Sequence, residues 1–277
     1  MTELSTQAWA AKTFSHAQLG DSRRNRRLVA IAVAAATTPA GLVTHAMGTQ
    51  AEREGAFRFL ESDKICTESV ARAVFESAAK DCAAVSQVFV VLDQTDITVI
   101  DREGVRGLGP SPNRRPVERR GVQVMTALAL DAAGIPIGLL DQQWWCRPEE
   151  RTPWGKKDPR PPHERESWKW VTAFDASLKR LTTLAPSSKP WFVMDRGADF
   201  HGILVQAVEL GVTLTIRSAQ ERTIRKQSHL RRLSTTLGRQ PVLGTIEISL
   251  PRTHERDARI GRFELRAHHQ DTKIRTK

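Results

Sequence analysis

The sequence predicts an α/β protein: a mixed sheet flanked by helices, preceded by a helical N-terminal domain and followed by a partial antiparallel β region. Three observations predict it. Apolar residues recur at helical spacing through the first 85 residues. At "QVFVVLD" (87–93) the pattern changes to a continuous β-branched and aromatic run, as in a strand buried on both faces. Helix-patterned and strand-patterned stretches then alternate until the pattern loosens near 221. The corresponding divisions are 1–85, 86–220 and 221–277.

In the first division, "GDSRRNRRLVAIAVAAA" offers Asp21 or Ser22 as a helix cap. Leu28, Ile31, Ala32 and Ala35 follow on one face, and Pro39 and Gly41 stop the helix. "QAEREGAFRFLES" predicts a short second helix. "TESVARAVFESAAKDCAAV" predicts a third that buries Val70, Val74, Phe75 and Ala78. In the second division, "DITVI" (96–100) predicts a second short strand after 87–93, and 101–121 reads as a Gly/Pro/Arg loop. "GVQVMTALAL" and "IPIGLLDQQWW" predict a hairpin with its turn at Gly134. "RESWKWVTAFDASLKRLTTL" (165–184) is an amphipathic helix along Val171, Phe174, Leu178 and Leu181. "PWFVMD" is a strand ending at Asp195, "DFHGILVQAVELG" a helix stopped by Gly211, and "VTLTIRS" a strand. In the third, "ERTIRKQSHLRRL" is strongly basic, and "GTIEISLPR" and "RFELRAHH" alternate as short antiparallel strands.

Charge narrows the function classes. Forty-two Lys and Arg against 31 Asp and Glu leave a net +11 over 277 residues, which suits a polyphosphate partner. Arg23, Arg24, Arg26 and Arg27 crowd a helix start, where they oppose the helix dipole unless phosphate offsets them or water alone solvates them. Cys66, Cys82 and Cys146 form no CxxC pair, so neither a disulfide framework nor a structural zinc site is indicated. The apolar run at 28–36 is too short to span a bilayer.

The order strand, strand, strand, helix, strand, helix, strand is that of an RNase H-like core, in which the first and fourth strands are neighbours. Here both end in aspartate, Asp93 and Asp195. Paired carboxylates repel unless a divalent cation lies between them, and Mg²⁺ favours such hard oxygen ligands. Taken singly, each is equally a turn former after a strand.

Several longer stretches resemble the bacterial insertion-sequence transposases with a DDE active site, the Tn-five-like group. "WAAKTFSHAQLGDSRRNRRL" and "AEREGAFRFLES" resemble its N-terminal DNA-binding region, "VVLDQTD" and "MDRGADFHG" its first two acidic strands, and "PIGLLDQQWWCRPEE" and "RESWKW" the hairpin and the helix between them. The resemblance implies that Asp93 and Asp195 are catalytic and hold Mg²⁺ or Mn²⁺, two ions in a complete site. It implies that Thr95 and Asp199 support them. Arg23, Arg24, Arg26, Arg27, Arg58, Arg147 and Arg196 are expected on DNA, with one of Trp144 and Trp145 against an unstacked base.

It further implies cut-and-paste transposition on double-stranded DNA, by a homodimer in a synaptic complex. The expected setting is the bacterial cytoplasm and nucleoid, with no membrane and no small-molecule substrate. The family's third acid, a Glu in a Tyr-x-x-Arg-x-x-x-Glu pattern within a helix beyond the inserted β region, has no counterpart here, and the chain has no tyrosine. A truncated copy is therefore expected. The alternatives are a DNA-binding fragment that inhibits transposition, or an RNase H-like nuclease drawing its third ligand from Glu164 or Glu166.

Overall fold

The computed structural model describes residues 5–38, 42–101, 107–111, 119–149, 159–226, 229–253 and 256–269. Five helices come first: α1 (Thr6–Phe14), α2 (Ser22–Thr37), α3 (Val43–Ala46), α4 (Gln50–Leu60) and α5 (Thr67–Cys82). The sequence pattern did not separate α1, which starts where the Ser5 hydroxyl accepts from the Ala8 amide. Asp21 caps α2 by accepting from the Arg23 amide at 2.8 Å. Leu28 is the α2 residue that becomes buried, while Ala35 on the expected face stays exposed.

Asn25 supplies the join between α1 and α2. Its side-chain amide donates to the carbonyls of Phe14 (3.3 Å), Ser15 (3.0 Å) and Ala17 (2.6 Å) where α1 ends, two of which also accept from the Ala17 and Leu19 amides. Around it Ala10, Phe14, Ala17, Leu19, Leu28 and Phe59 close a small core.

The sheet follows: β1 (Gln87–Ile100), β2 (Gly109–Pro110), β3 (Arg119–Leu130), β4 (Pro136–Trp145), α6 (Trp168–Leu184), β5 (Lys189–Met194), α7 (His201–Glu209) and β6 (Thr213–Ile216). The stretches 87–93 and 96–100 are one strand, not two. β3 pairs with β1 continuously from Phe89–Leu130 to Ile100–Arg119, and the polar "DQTD" marks only where the strand becomes exposed. β3 accordingly starts inside the segment read as loop. Its Gly121 is required, because a Cβ there would stand 2.1 Å from the Ile97 carbonyl oxygen. The helix read from 165 begins at Trp168, and Asp199 precedes α7 rather than opening it.

The strand order is β4-β3-β1-β5-β6, with β2 beside the far end of β3. The pairs among β4, β3 and β1 are antiparallel, and β1-β5 and β5-β6 are parallel, joined through α6 and α7. One sheet face is packed. Val88, Val90, Leu92, Met125, Leu140, Phe192 and Met194 meet Ala78, Ala79 and Cys82 of α5 and Val171, Phe174 and Leu181 of α6. Each large side chain buried there contributes about 2–3 kcal/mol. Burial, with Asp81 adding to it, pushes the Cys82 thiol up to about 11, so it remains an un-ionised packing residue. The opposite face carries Phe89, Val91, Trp191 and Val193, all half-buried.

The remaining described elements are β7 (Thr223–Lys226) paired with β8 (His229–Arg232), α8 (Leu233–Gly238), and the antiparallel pair β9 (Gly244–Leu250) and β10 (Arg259–Leu265). Asn25→Ala, which leaves three carbonyls at the α1–α2 junction without that donor, is expected to lower stability by about 1–2 kcal/mol in urea unfolding. An unchanged midpoint would remove Asn25 from this account.

Candidate nucleic-acid interface and carboxylate pair

β1 and β5 run side by side with Leu92 opposite Met194. Asp93 and Asp195 each follow one residue later, so they leave the sheet from neighbouring strands at about the 5 Å strand spacing. Asp93 lies within β1, at the point where β5 ends, rather than at the end of its own strand. The pleat then decides orientation: Leu92 and Met194 point into the packed core, so Asp93 and Asp195 belong to the opposite face, and both are exposed. Asp195 caps the short 3₁₀ turn Arg196–Ala198, accepting from the Gly197 amide at 2.6 Å. A Cβ on Gly197 would stand 2.9 Å from the Trp170 ring.

A polar row continues across this face. Asp93 is opposite Thr126, and Thr126 opposite Gln142. Gln142 donates to the Thr126 hydroxyl (3.3 Å), and the Trp144 indole N–H donates to Gln142 (3.2 Å). Trp144 is 55% exposed on the carboxylate face. Trp145 points the other way, packs against the core and carries the Lys169 ammonium 5.5 Å from its ring centre. Of the two tryptophans, only Trp144 is placed to meet a partner on the carboxylate side. Thr95 lies two residues along β1 on the same face as Asp93, and is exposed.

Arg147 is committed elsewhere. Its Nε and one terminal nitrogen hold Glu166 (2.8 and 2.5 Å), and the other terminal nitrogen holds Asp96 (3.1 Å), leaving the side chain 15% exposed. Gln94 also donates to Glu166, at 2.7 Å. Gln94 and Asp96 alternate with Asp93 and Thr95 along β1, so this network occupies the other side of the sheet. Arg147 and Glu166, expected on phosphate and offered as an alternative third ligand, are thus paired with each other on the side of the sheet away from Asp93. Glu164 is exposed near His163 (3.7 Å). Among the described residues, no third acid, histidine or cysteine joins Asp93 and Asp195 in a ligand cluster.

Asp199 is 4% exposed. It accepts from the amides of Ala219 (2.7 Å) and Gln220 (3.3 Å) and from the Ser218 hydroxyl (3.4 Å), and it pairs with Arg222. Burial alone would raise its pKa. The Arg222 guanidinium and the two amides outweigh burial and hold the carboxyl below its usual value. Pattern reading had no means of seeing Arg222 as its partner, 23 positions away.

In the helical domain the four clustered arginines divide. Arg24 donates to the Leu19 carbonyl at 2.6 Å and reaches that of Lys64 at 3.4 Å, while the Arg27 guanidinium lies against Gly55. Arg23 and Arg26 are exposed, Arg23 with only a 3.6 Å contact to Asp21. Arg26 borders an open groove of about 700 Å³ between α1 and α2, alongside His16, Ser22 and Asn25. Arg58 is exposed on α4, and Arg196 beside Asp195.

Residues 6–65 match the family described as transposase DNA-binding. The match covers α1 through α4 and the α1–α2 junction that carries Arg23 and Arg26. It supports a transposase, with DNA as its partner. No helix among the described residues is long and apolar enough to cross a membrane.

Replacing Arg23 and Arg26 with Gln is expected to weaken duplex binding for all sequences and to reduce its salt dependence by about one unit per lost contact, with thermal stability unchanged. Replacing Arg24 and Arg27 is expected to lower stability first. Filter-binding titrations across salt, with parallel melting curves, check both. An unaltered salt slope for the Arg23/Arg26 variant would mean that those side chains are only solvated.

Proposed function

We propose that the chain is a DDE-type DNA transposase of the Tn-five-like group, with an RNase H-like core in which Asp93 and Asp195 form the metal-holding part of a phosphodiester-cleaving site. The observation that carries the reading is the pair itself: two carboxylates leaving adjacent parallel strands at one level on one sheet face, in a chain whose N-terminal region matches a transposase DNA-binding family. The sheet order supports the RNase H-like assignment.

The donor set fits Mg²⁺ or Mn²⁺: two exposed aspartates offer hard oxygens, and water and phosphate oxygens complete the shell. Held by Asp93 and Asp195, such an ion would supply Lewis-acid stabilisation of the charge that develops on a phosphodiester oxygen. The chain's own groups do the rest. Arg23, Arg26 and Arg58 hold duplex phosphate through the helical domain. Trp144 offers an aromatic face to a base displaced from its stack, on the side of the sheet where the scissile phosphate must approach. Asp195 has one oxygen oriented by the Gly197 amide.

A second reading, a DNA-binding inhibitor of transposition, is favoured by one observation: among the described residues the pair has no third ligand. Two carboxylates suffice to hold one ion and do not complete a two-metal centre. The proposal is therefore that this chain binds DNA and one divalent ion, and that cleavage and strand transfer need a further carboxylate.

Asp93→Asn and Asp195→Asn are expected to leave the melting temperature unchanged or slightly raised, since each removes one of two repelling charges, and to weaken Mn²⁺ binding about tenfold or more. Calorimetric titration with Mn²⁺ measures this. Nicking of duplex DNA that requires Mg²⁺ and disappears in both variants would establish cleavage by the chain alone and reject the inhibitor reading. Mn²⁺ binding indifferent to both substitutions would reject the site.

A further inference from the structure

The sheet holds a third residue at the level of the carboxylate pair. β6 lies against β5 with Ile216 opposite Met194, and the ladder runs one residue further, the Arg217 amide donating to the Met194 carbonyl at 3.1 Å. Leu92, Met194 and Ile216 therefore form one row across three parallel strands, all directed to the packed core. Asp93, Asp195 and Arg217 are the residues that follow them, and the pleat sends all three to the opposite face.

Arg217 is exposed, and among the described residues it makes no ion pair or side-chain hydrogen bond. In this respect it differs from Arg147, Arg180 and Arg222, which are held by Glu166, Asp141 and Asp199.

The segment that carries Arg217 is fixed. Asp199 stands at the end of the turn that begins with Asp195, its amide donating to the Arg196 carbonyl at 3.2 Å. Its carboxylate takes donors from Ser218, Ala219, Gln220 and Arg222. One buried carboxylate thus ties the segment following Asp195 to the segment following Ile216. Burying that charge is costly unless several donors compensate it, and here four do. The result is a fixed exit for Arg217 beside the pair.

We propose that Arg217 is a phosphate-binding residue of the Asp93–Asp195 site, held in place by Asp199 acting as a positioning residue on segment 217–222. The inference rests on reading the pair as a metal-holding phosphodiester site. A phosphodiester approaching two carboxylates meets repulsion that the bound ion offsets only in part. A guanidinium in the same row supplies the remaining positive charge and two donors suited to non-bridging oxygens. It also opposes cation binding in the absence of DNA. The two effects have opposite signs, which separates this role from a merely structural one.

The test uses the full chain, Mn²⁺ calorimetry and anisotropy of a short fluorescent duplex in Mg²⁺ or in EDTA. Arg217→Gln is expected to weaken duplex binding in Mg²⁺ about tenfold, as for loss of a hydrogen bond to a charged group, and to leave binding in EDTA within about twofold. The same variant is expected to bind Mn²⁺ roughly threefold more tightly, because a like charge has been removed. Arg217→Lys should restore the Mn²⁺ affinity and part of the duplex affinity. Asp199→Asn, or Arg222→Gln if that variant does not fold, should reproduce the loss of duplex binding in Mg²⁺; wild-type binding by both would overturn the positioning role. If Arg217→Gln leaves Mn²⁺ and duplex binding unchanged while Asp93→Asn loses Mn²⁺, the arginine has no such role and the pair survives. If neither Asp93→Asn nor Asp195→Asn alters Mn²⁺ binding, the site and this inference fail together.

Discussion

The parallel pairing of β1 with β5 sets the position of everything else in the core. Strands that are adjacent and parallel need a crossover, and here the chain leaves β1, forms the β3–β4 hairpin and returns through α6 before β5 can lie down beside β1. That pairing buries Val88, Val90 and Leu92 with Phe192 and Met194 beneath α5 and α6, where the Phe174 and Phe192 rings meet at 4.4 Å. Burying one set of alternating residues leaves the other set no choice of side. Asp93, Asp195 and Arg217 share a face because Leu92, Met194 and Ile216 share the core. A one-residue slip of β5 against β1 would carry its apolar set out of the core, so the packing energy also fixes the register of the carboxylates.

The excess of arginine is divided between structure and partner in a way that composition does not reveal. Arg147 bridges β1 and the turn before α6 through Asp96 and Glu166. Arg180 ties α6 to β4 through Asp141 and lies 4.8 Å from the Phe75 ring centre, and Arg222 answers Asp199. Arg24 and Arg27 join the helices of the N-terminal domain. The cations left exposed among those discussed are Arg23, Arg26 and Arg58 on the helical domain and Arg196 and Arg217 beside the pair. In the proposed function Arg23, Arg26 and Arg58 meet duplex phosphate and, in the further inference, Arg217 meets it beside the pair, while the net +11 serves long-range attraction.

Much of this was legible in the sequence because the signals are local. Continuous apolar runs marked β1 and β5, Gly134 marked the hairpin turn, and the Val171/Phe174/Leu178/Leu181 stripe marked α6. The order of these elements made β1 and β5 neighbours. What the sequence left hidden depends on contacts distant in the chain. "DQTD" interrupts the apolar pattern without interrupting the strand, because β3 continues to supply backbone partners. Trp144 and Trp145 are indistinguishable by composition, and the pleat sends one outward and the other to the core. The ion pairs of Arg147 were invisible because its two carboxylates lie 19 and 51 residues away. Arg217 drew no notice because nothing beside it in the sequence is acidic; its neighbours across the sheet are.

The central claim is that Asp93 and Asp195 share one divalent cation between adjacent parallel strands. Anomalous scattering from crystals of the full chain grown with Mn²⁺ tests it most directly. A single peak between the two aspartates, within about 2.2 Å of an oxygen of each, is expected. No peak there at saturating Mn²⁺, or a peak that contacts other groups and neither aspartate, would contradict it.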